Sequence, residues 1–135
     1  MPEKKIIAAI GAGRMGRGLA HVFAYAGHEI RLLDIKERGQ TAFEHLKTAA
    51  IIDIRQTVGL MASLGRIPDS DIETIMGRIS VLPLHRAEEA LTEAALILEG
   101  VPEALGLKQR AFAIACEHAV PEAIIASTTS TMLVD

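Results

Sequence analysis

The chain has one cysteine, no tryptophan, one tyrosine and three phenylalanines in 135 residues. Cys116 alone excludes an intrachain disulfide framework and a zinc site built on cysteines. Aromatics make up only 3% of the residues, so the stacking platforms on which single-stranded nucleic acids bind are missing. A basic excess is missing too: 14 Lys and Arg stand against 17 Asp and Glu, a net charge of −3, whereas nucleic-acid-binding domains usually carry positive charge. No apolar run approaches the roughly 18 residues that suggest a membrane helix. Met1-Pro2-Glu3-Lys4-Lys5 leads straight into a strand-like run, without a leader ending in small residues. These absences together point to a reducing, cytoplasmic compartment. The histidines (His21, His28, His45, His85 and His118) show neither metal-ligand spacing nor a Ser/Asp constellation. Each is expected to be structural or solvated, and no metal is expected.

What is present suits one globular domain spanning residues 1–135, with half the residues hydrophobic and 23% charged. Ile6-Ile7-Ala8-Ala9-Ile10 is apolar without alternation, the pattern of a parallel strand covered on both faces. Gly11 stops it, and from Arg14 the residues Met15, Leu19, Val22, Phe23 and Ala26 recur at helical spacing up to Gly27, a C-terminal glycine. Glu29–Leu33 reads as a second strand. A long helical periodicity then runs from about Glu37 to Leu64 and is broken at 65–69. A short helix follows to Met76, with Asp69 or Ser70 as N-cap. Further strands are expected at 79–82, 95–98 and 123–126, with helices at 86–91 and from Pro102 to about 119, where Cys116 reads as a buried thiol. Strands alternating with helices give an α/β fold, a doubly wound parallel sheet of Rossmann type.

Gly11-Ala12-Gly13-Arg14-Met15-Gly16 matches G-x-G-x-x-G between a strand and a helix. In that motif Gly11 makes the tight turn, Gly13 admits a pyrophosphate to the backbone, and Gly16 lets helix and strand close up. The helix start, at Arg14 and Met15, offers unpaired N–H groups and a positive dipole end. Asp34, 23 residues after Gly11, can accept from the adenosine ribose hydroxyls and would repel a 2′-phosphate. NAD is therefore expected in preference to NADP, with Lys36 and Arg38 nearby leaving NADP as the lesser alternative. Glu99 and Glu103 fall after the fourth strand, where cofactor contact is expected, with Lys108 on the next helix. For these three, a dipole-compensating first turn and a solvated lysine explain the spacing equally well. The hydroxyl-rich stretch 127–131 either holds a substrate oxygen or caps a following helix.

These segments, together with Gly27-His28-Glu29-Ile30-Arg31-Leu32-Leu33-Asp34, Leu98-Glu99-Gly100-Val101-Pro102-Glu103 and Ala126-Ser127-Thr128-Thr129-Ser130-Thr131, resemble the NAD-binding domain of the 3-hydroxyacyl-CoA dehydrogenase family over nearly the whole chain. The resemblance implies hydride transfer between NAD and a 3-hydroxyacyl-CoA or 3-oxoacyl-CoA, and a helical hairpin inserted after the second strand. It implies that Gly11, Gly13, Arg14, Met15 and Gly16 hold the pyrophosphate and Asp34 the ribose. Glu103 and Lys108 match positions near the nicotinamide half. Ser130 matches the serine that touches the cofactor and orients the reacting oxygen, with Ser127 as second choice. The family's catalytic histidine lies in a His-Phe-Phe-Asn-Pro-like motif that these residues do not contain. A helical domain that encloses the acyl chain and forms a homodimer is likewise expected beyond them, so the chain alone is expected to be inactive. Pro102 is similar to the branch that holds lambda-crystallin and the diketo-acid reductases. A β-hydroxyacid or diketo-acid reductase, or a non-catalytic NAD-binding protein, therefore stands as the alternative.

Overall fold

The computed structural model describes residues 4–102 and 104–127. Among them, β1 (Ile6–Ile10), β2 (Glu29–Leu33), β3 (Ile79–Leu82), β4 (Leu96–Glu99) and β5 (Ile124–Ser127) form one parallel sheet in the order β3-β2-β1-β4-β5. Between them run α1 (Arg14–Tyr25), α2 (Gln40–Ser63), α3 (Ile72–Met76), α4 (Ala87–Leu91) and α5 (Leu105–His118). This is the doubly wound strand order, and its direction reverses between β1 and β4, where a crevice opens at the carboxyl ends of the strands.

The period of two along each strand explains the unbroken apolar runs. Ile7 and Ala9 of β1, with Ile30 and Leu32 of β2, pack under α1, α2 and α3. Ala8 and Ile10, with Leu33 and Ile97, pack under α4 and α5. Each fully buried isoleucine or leucine of these layers is worth about 1.5–3 kcal/mol of transfer free energy. Alanines at the contact (Ala20 and Ala24 of α1, Ala111 and Ala115 of α5) are buried and let the helices lie close to the sheet. Residue 116 falls one step round α5 from Ala115, so Cys116 is exposed and not buried as its neighbours suggested.

The helical hairpin after β2 has unequal arms. Its first arm is the single 24-residue helix α2, about 36 Å long at 1.5 Å per residue. Phe43, Ala50, Ile54 and Val58 bury one stripe of it against the core. Gly65, at φ 74°, ends it: its N–H donates to the Ala62 carbonyl and that of Arg66 to Met61. The same pair of bonds, made by Gly27 and His28, closes α1 at Gly27 with φ 102°. The return arm is a 3-10 turn (Asp69–Asp71) followed by α3. Neither Asp69 nor Ser70 is the cap expected there; Pro68 precedes the turn, Asp71 precedes α3, and neither start has a side-chain cap bond.

Pro102 does not open α5. Ala104, with φ −135° and ψ 123°, is still extended, and the helix starts at Leu105. The physical cause is the tethering of Val101 to buried side chains, described below. No helix among the described residues is long and apolar enough to cross a membrane.

Candidate dinucleotide-binding site

The turn between β1 and α1 is held from three sides. The Gly11 N–H donates to the Leu33 carbonyl at 2.7 Å, the Gly100 N–H to Ile10 at 2.9 Å, and Arg17 Nε to Ala12 at 3.0 Å. Gly11 has φ 119°, and a Cβ there would stand 2.7 Å from the Gly100 carbonyl oxygen. At Gly16 a Cβ would meet the Gly11 carbonyl oxygen at 2.0 Å. Both positions therefore require glycine, for the turn and for the contact of helix and strand. Gly13 differs: a Cβ there meets nothing within 4 Å. It lines the groove, and a side chain would fill space that the fold leaves open.

Gly13 precedes α1 in extended conformation without a side-chain cap, and the first turn holds no acid. The first intrahelical acceptor bond is that of the Arg17 N–H to Gly13. The N–H groups of Arg14, Met15 and Gly16 therefore sit at the positive end of the helix dipole, at the groove. Arg14 and Met15 line it, and Met15 is half exposed. The groove has a volume of about 450 Å³ and runs from Asp34 and Lys36 past this turn to Gly100, Val101 and Pro102. That donor set and the open face at Gly13 fit a pyrophosphate.

Asp34 closes the other end. It is 3% exposed, its N–H donates to the Leu82 carbonyl, and its carboxylate has two partners. The backbone N–H of Lys36 donates to Oδ1 at 3.1 Å and Arg38 Nε donates to Oδ2 at 2.6 Å. One lone pair on each oxygen is left for a ribose hydroxyl.

Glu99 and Lys108 come together beneath the opposite end. They are 1% and 5% exposed, so Lys108 is not a solvated helix residue. Lys108 Nζ donates to Glu99 Oε2 at 2.7 Å and to the Val101 carbonyl at 3.1 Å. Glu99 Oε2 also accepts from the Val101 N–H at 2.8 Å, and Oε1 from Ser127 Oγ at 2.6 Å. Neither charged group lines the groove; Val101, which they hold at both its N–H and its carbonyl, does. Glu103 and Ser130 lie outside the described residues. No histidine lines this groove, and no cluster of three or more metal-ligating side chains exists among the described residues.

Sequence reasoning missed the apolar walls (Ile35, Leu46 and Val101), which no motif marks. It also missed that Arg38 pairs with Asp34. The spacing of four residues is a helical signal, whereas this pair forms in the loop before α2.

A family model described as the NAD-binding domain of 3-hydroxyacyl-CoA dehydrogenase matches residues 6–135. The chain is 30% identical over 133 residues to 3-hydroxyadipyl-CoA dehydrogenase of Escherichia coli, covering 98% of this chain and 26% of that protein. It is 30% identical over 128 residues to the lambda-crystallin homolog of Homo sapiens, covering 94% and 37%. The crystal structure of (S)-3-hydroxybutyryl-CoA dehydrogenase from Ralstonia eutropha superposes with a TM-score of 0.82 at 19% identity, over 96% of this chain and 42% of that one. That last likeness is one of fold. In each case the chain spans less than half the length of the protein it matches.

Proposed function

Because the chain belongs to the 3-hydroxyacyl-CoA dehydrogenase family, of which it forms the NAD-binding domain, we propose that it is the cofactor half of an oxidoreductase acting on 3-hydroxyacyl-CoA or 3-oxoacyl-CoA. The observation that carries this reading is the open face at Gly13 beside the α1 N-terminus, with Asp34 at the far end of the same groove. When bound, NAD supplies the hydride acceptor or donor. The backbone of Gly11, Gly13, Arg14, Met15 and Gly16 holds the pyrophosphate, and Asp34 accepts from the adenosine ribose. Val101 stands at the nicotinamide end, kept in place by Glu99 and Lys108, with Glu103 beside it in the sequence. Ser130 orients the reacting oxygen of the substrate, and Ser127 is the second choice. The hydroxyl proton passes to a histidine of a His-Phe-Phe-Asn-Pro-like motif outside these residues. A separate helical domain, also outside these residues, encloses the acyl chain and joins two copies. The cysteine usage supports a cytoplasmic setting.

A second reading has its own support: the lambda-crystallin homolog shares the same 30% identity, over a slightly shorter stretch, and Pro102 stands exposed at the groove. On that reading the substrate is a free β-hydroxy or diketo acid, or there is no turnover.

The test is calorimetric titration of the chain with NADH. Saturable binding is expected, with a loss of at least about tenfold in Gly13→Val, the scale for lost hydrogen bonds to a charged group. Because nothing lies within 4 Å of that Cβ, the variant should still fold and melt cooperatively, with only the modest loss of a poorer N-cap residue. Undiminished NADH affinity in Gly13→Val would place the phosphate site elsewhere.

A further inference from the structure

We propose that the adenosine end of the groove is also a phosphomonoester subsite, so that the chain takes NADP(H) nearly as well as NAD(H), with Arg38 deciding between them. The proposal rests on the dinucleotide reading above and deepens it. A carboxylate at the end of the second strand ordinarily excludes a ribose 2′-phosphate by charge, while an arginine nearby accommodates one. Here both groups are present and joined. Asp34 does not meet the groove as a bare carboxylate: its Oδ2 accepts from Arg38 Nε at 2.6 Å and its Oδ1 from the Lys36 N–H at 3.1 Å.

The guanidinium carries five N–H donors in a planar fork. Only the Nε–H is engaged among the described residues, and the side chain is 29% exposed. The Nη groups are the pair that binds phosphate oxygens side by side. Arg38 lines the main groove and also a second cavity, of about 310 Å³, that continues past Asp34 toward the end of β3. That volume is about ten times the share of one water in the liquid, ample for a phosphate. The ionisable groups around the second cavity are Asp34, Lys36, Glu37, Arg38 and His85. With Asp34 neutralised by Arg38, Lys36 offers a cation and His85 an imidazole donor, against the exposed Glu37 alone. A phosphate on the 2′-oxygen therefore meets the outer edge of a guanidinium whose inner edge already holds the carboxylate.

Calorimetric titration of the full chain with NADPH and with NADH, in one buffer, tests this. The two dissociation constants are expected within about tenfold of each other, a bare charge-assisted hydrogen bond being worth that much or more. Arg38→Ala should weaken NADPH by about tenfold or more while NADH holds or tightens, because Asp34 Oδ2 is released to the ribose. Arg38→Lys, which keeps the charge and loses the fork, should raise the NADPH-to-NADH ratio by about threefold or more, and it carries the test if Arg38→Ala does not melt cooperatively. A larger than tenfold preference for NADH in the unaltered chain overturns the proposal, as does a ratio that neither substitution moves. Binding of NADH without NADPH sinks this proposal alone, whereas binding of neither removes the dinucleotide reading with it.

Discussion

Lys108 and Glu99 illustrate how much a single pair of residues can decide. Burying two charges is costly, and their attraction repays it only with good geometry and further hydrogen bonds. This pair has both, since Val101 and Ser127 supply extra partners around it. The arrangement ties the start of the β4–α5 loop to the end of β5, so the pair acts on the groove through Val101. Lys108→Met is therefore expected to destabilise the chain by about 3–5 kcal/mol, the usual cost of breaking a buried pair. Adding Glu99→Gln should recover part of that loss, because the uncompensated carboxylate is then gone. Denaturant unfolding of the single and double variants checks it. A loss near zero in Lys108→Met would mean that the interior tolerates the Glu99 carboxylate without the lysine's charge.

Among the elements, the long arm α2 behaves as part of the core along one stripe and as an exposed helix elsewhere. Ile54 and Val58 are buried, while Ile52 and Leu60 are exposed. An ion pair adds to the apolar contact between the two arms: Arg55 of α2 pairs with Glu73 of α3 at the surface. The hydrogen bond and the charge of Arg55 hold the Glu73 carboxyl below the ordinary carboxylate range. A carboxyl whose pKa is lowered in the folded state adds stability above its unfolded value and loses it as pH falls through the folded one. The melting midpoint of Glu73→Gln should therefore lie below that of the unaltered chain at neutral pH, and the gap should close in acid. The gap should be small, since surface pairs contribute little. A gap that stays constant from neutral pH into acid would show that Arg55 is not its cause.

At the scale of the whole molecule the described lining of the groove offers backbone donors and a carboxylate. Among the described residues no histidine lines it, and His85 lines the second cavity together with Asp34. Oxidation of a secondary alcohol needs a base for the hydroxyl proton, and histidine is the side chain best matched to neutral pH. The chain by itself is thus expected to bind NADH without reducing acetoacetyl-CoA at a useful rate, general acid–base help being worth about 10²–10⁴-fold. Following NADH absorbance at high protein concentration checks this. Robust turnover would put a base among the five histidines of this chain.

The sequence by itself determined the sheet and the glycine turn. Those depend on local matters: apolar runs long enough for a strand, glycines where a Cβ would strike a carbonyl oxygen, and helical periodicity between them. β1, α1 and β2 lie where the pattern placed them, because turn chemistry and side-chain period agree there. Tertiary structure decided what charged and small side chains do. Lys108 reads equally as a cofactor contact or a solvated residue until α5 packs and turns it toward Glu99. Cys116 reads as buried until Ala111 and Ala115 take the inward positions. Arg38 reads as a cation near the ribose position, and only the loop after β2 brings its guanidinium onto Asp34. Period and propensity report which face an element buries. They do not report which ion meets which, since that depends on the angles and distances between elements far apart in the chain.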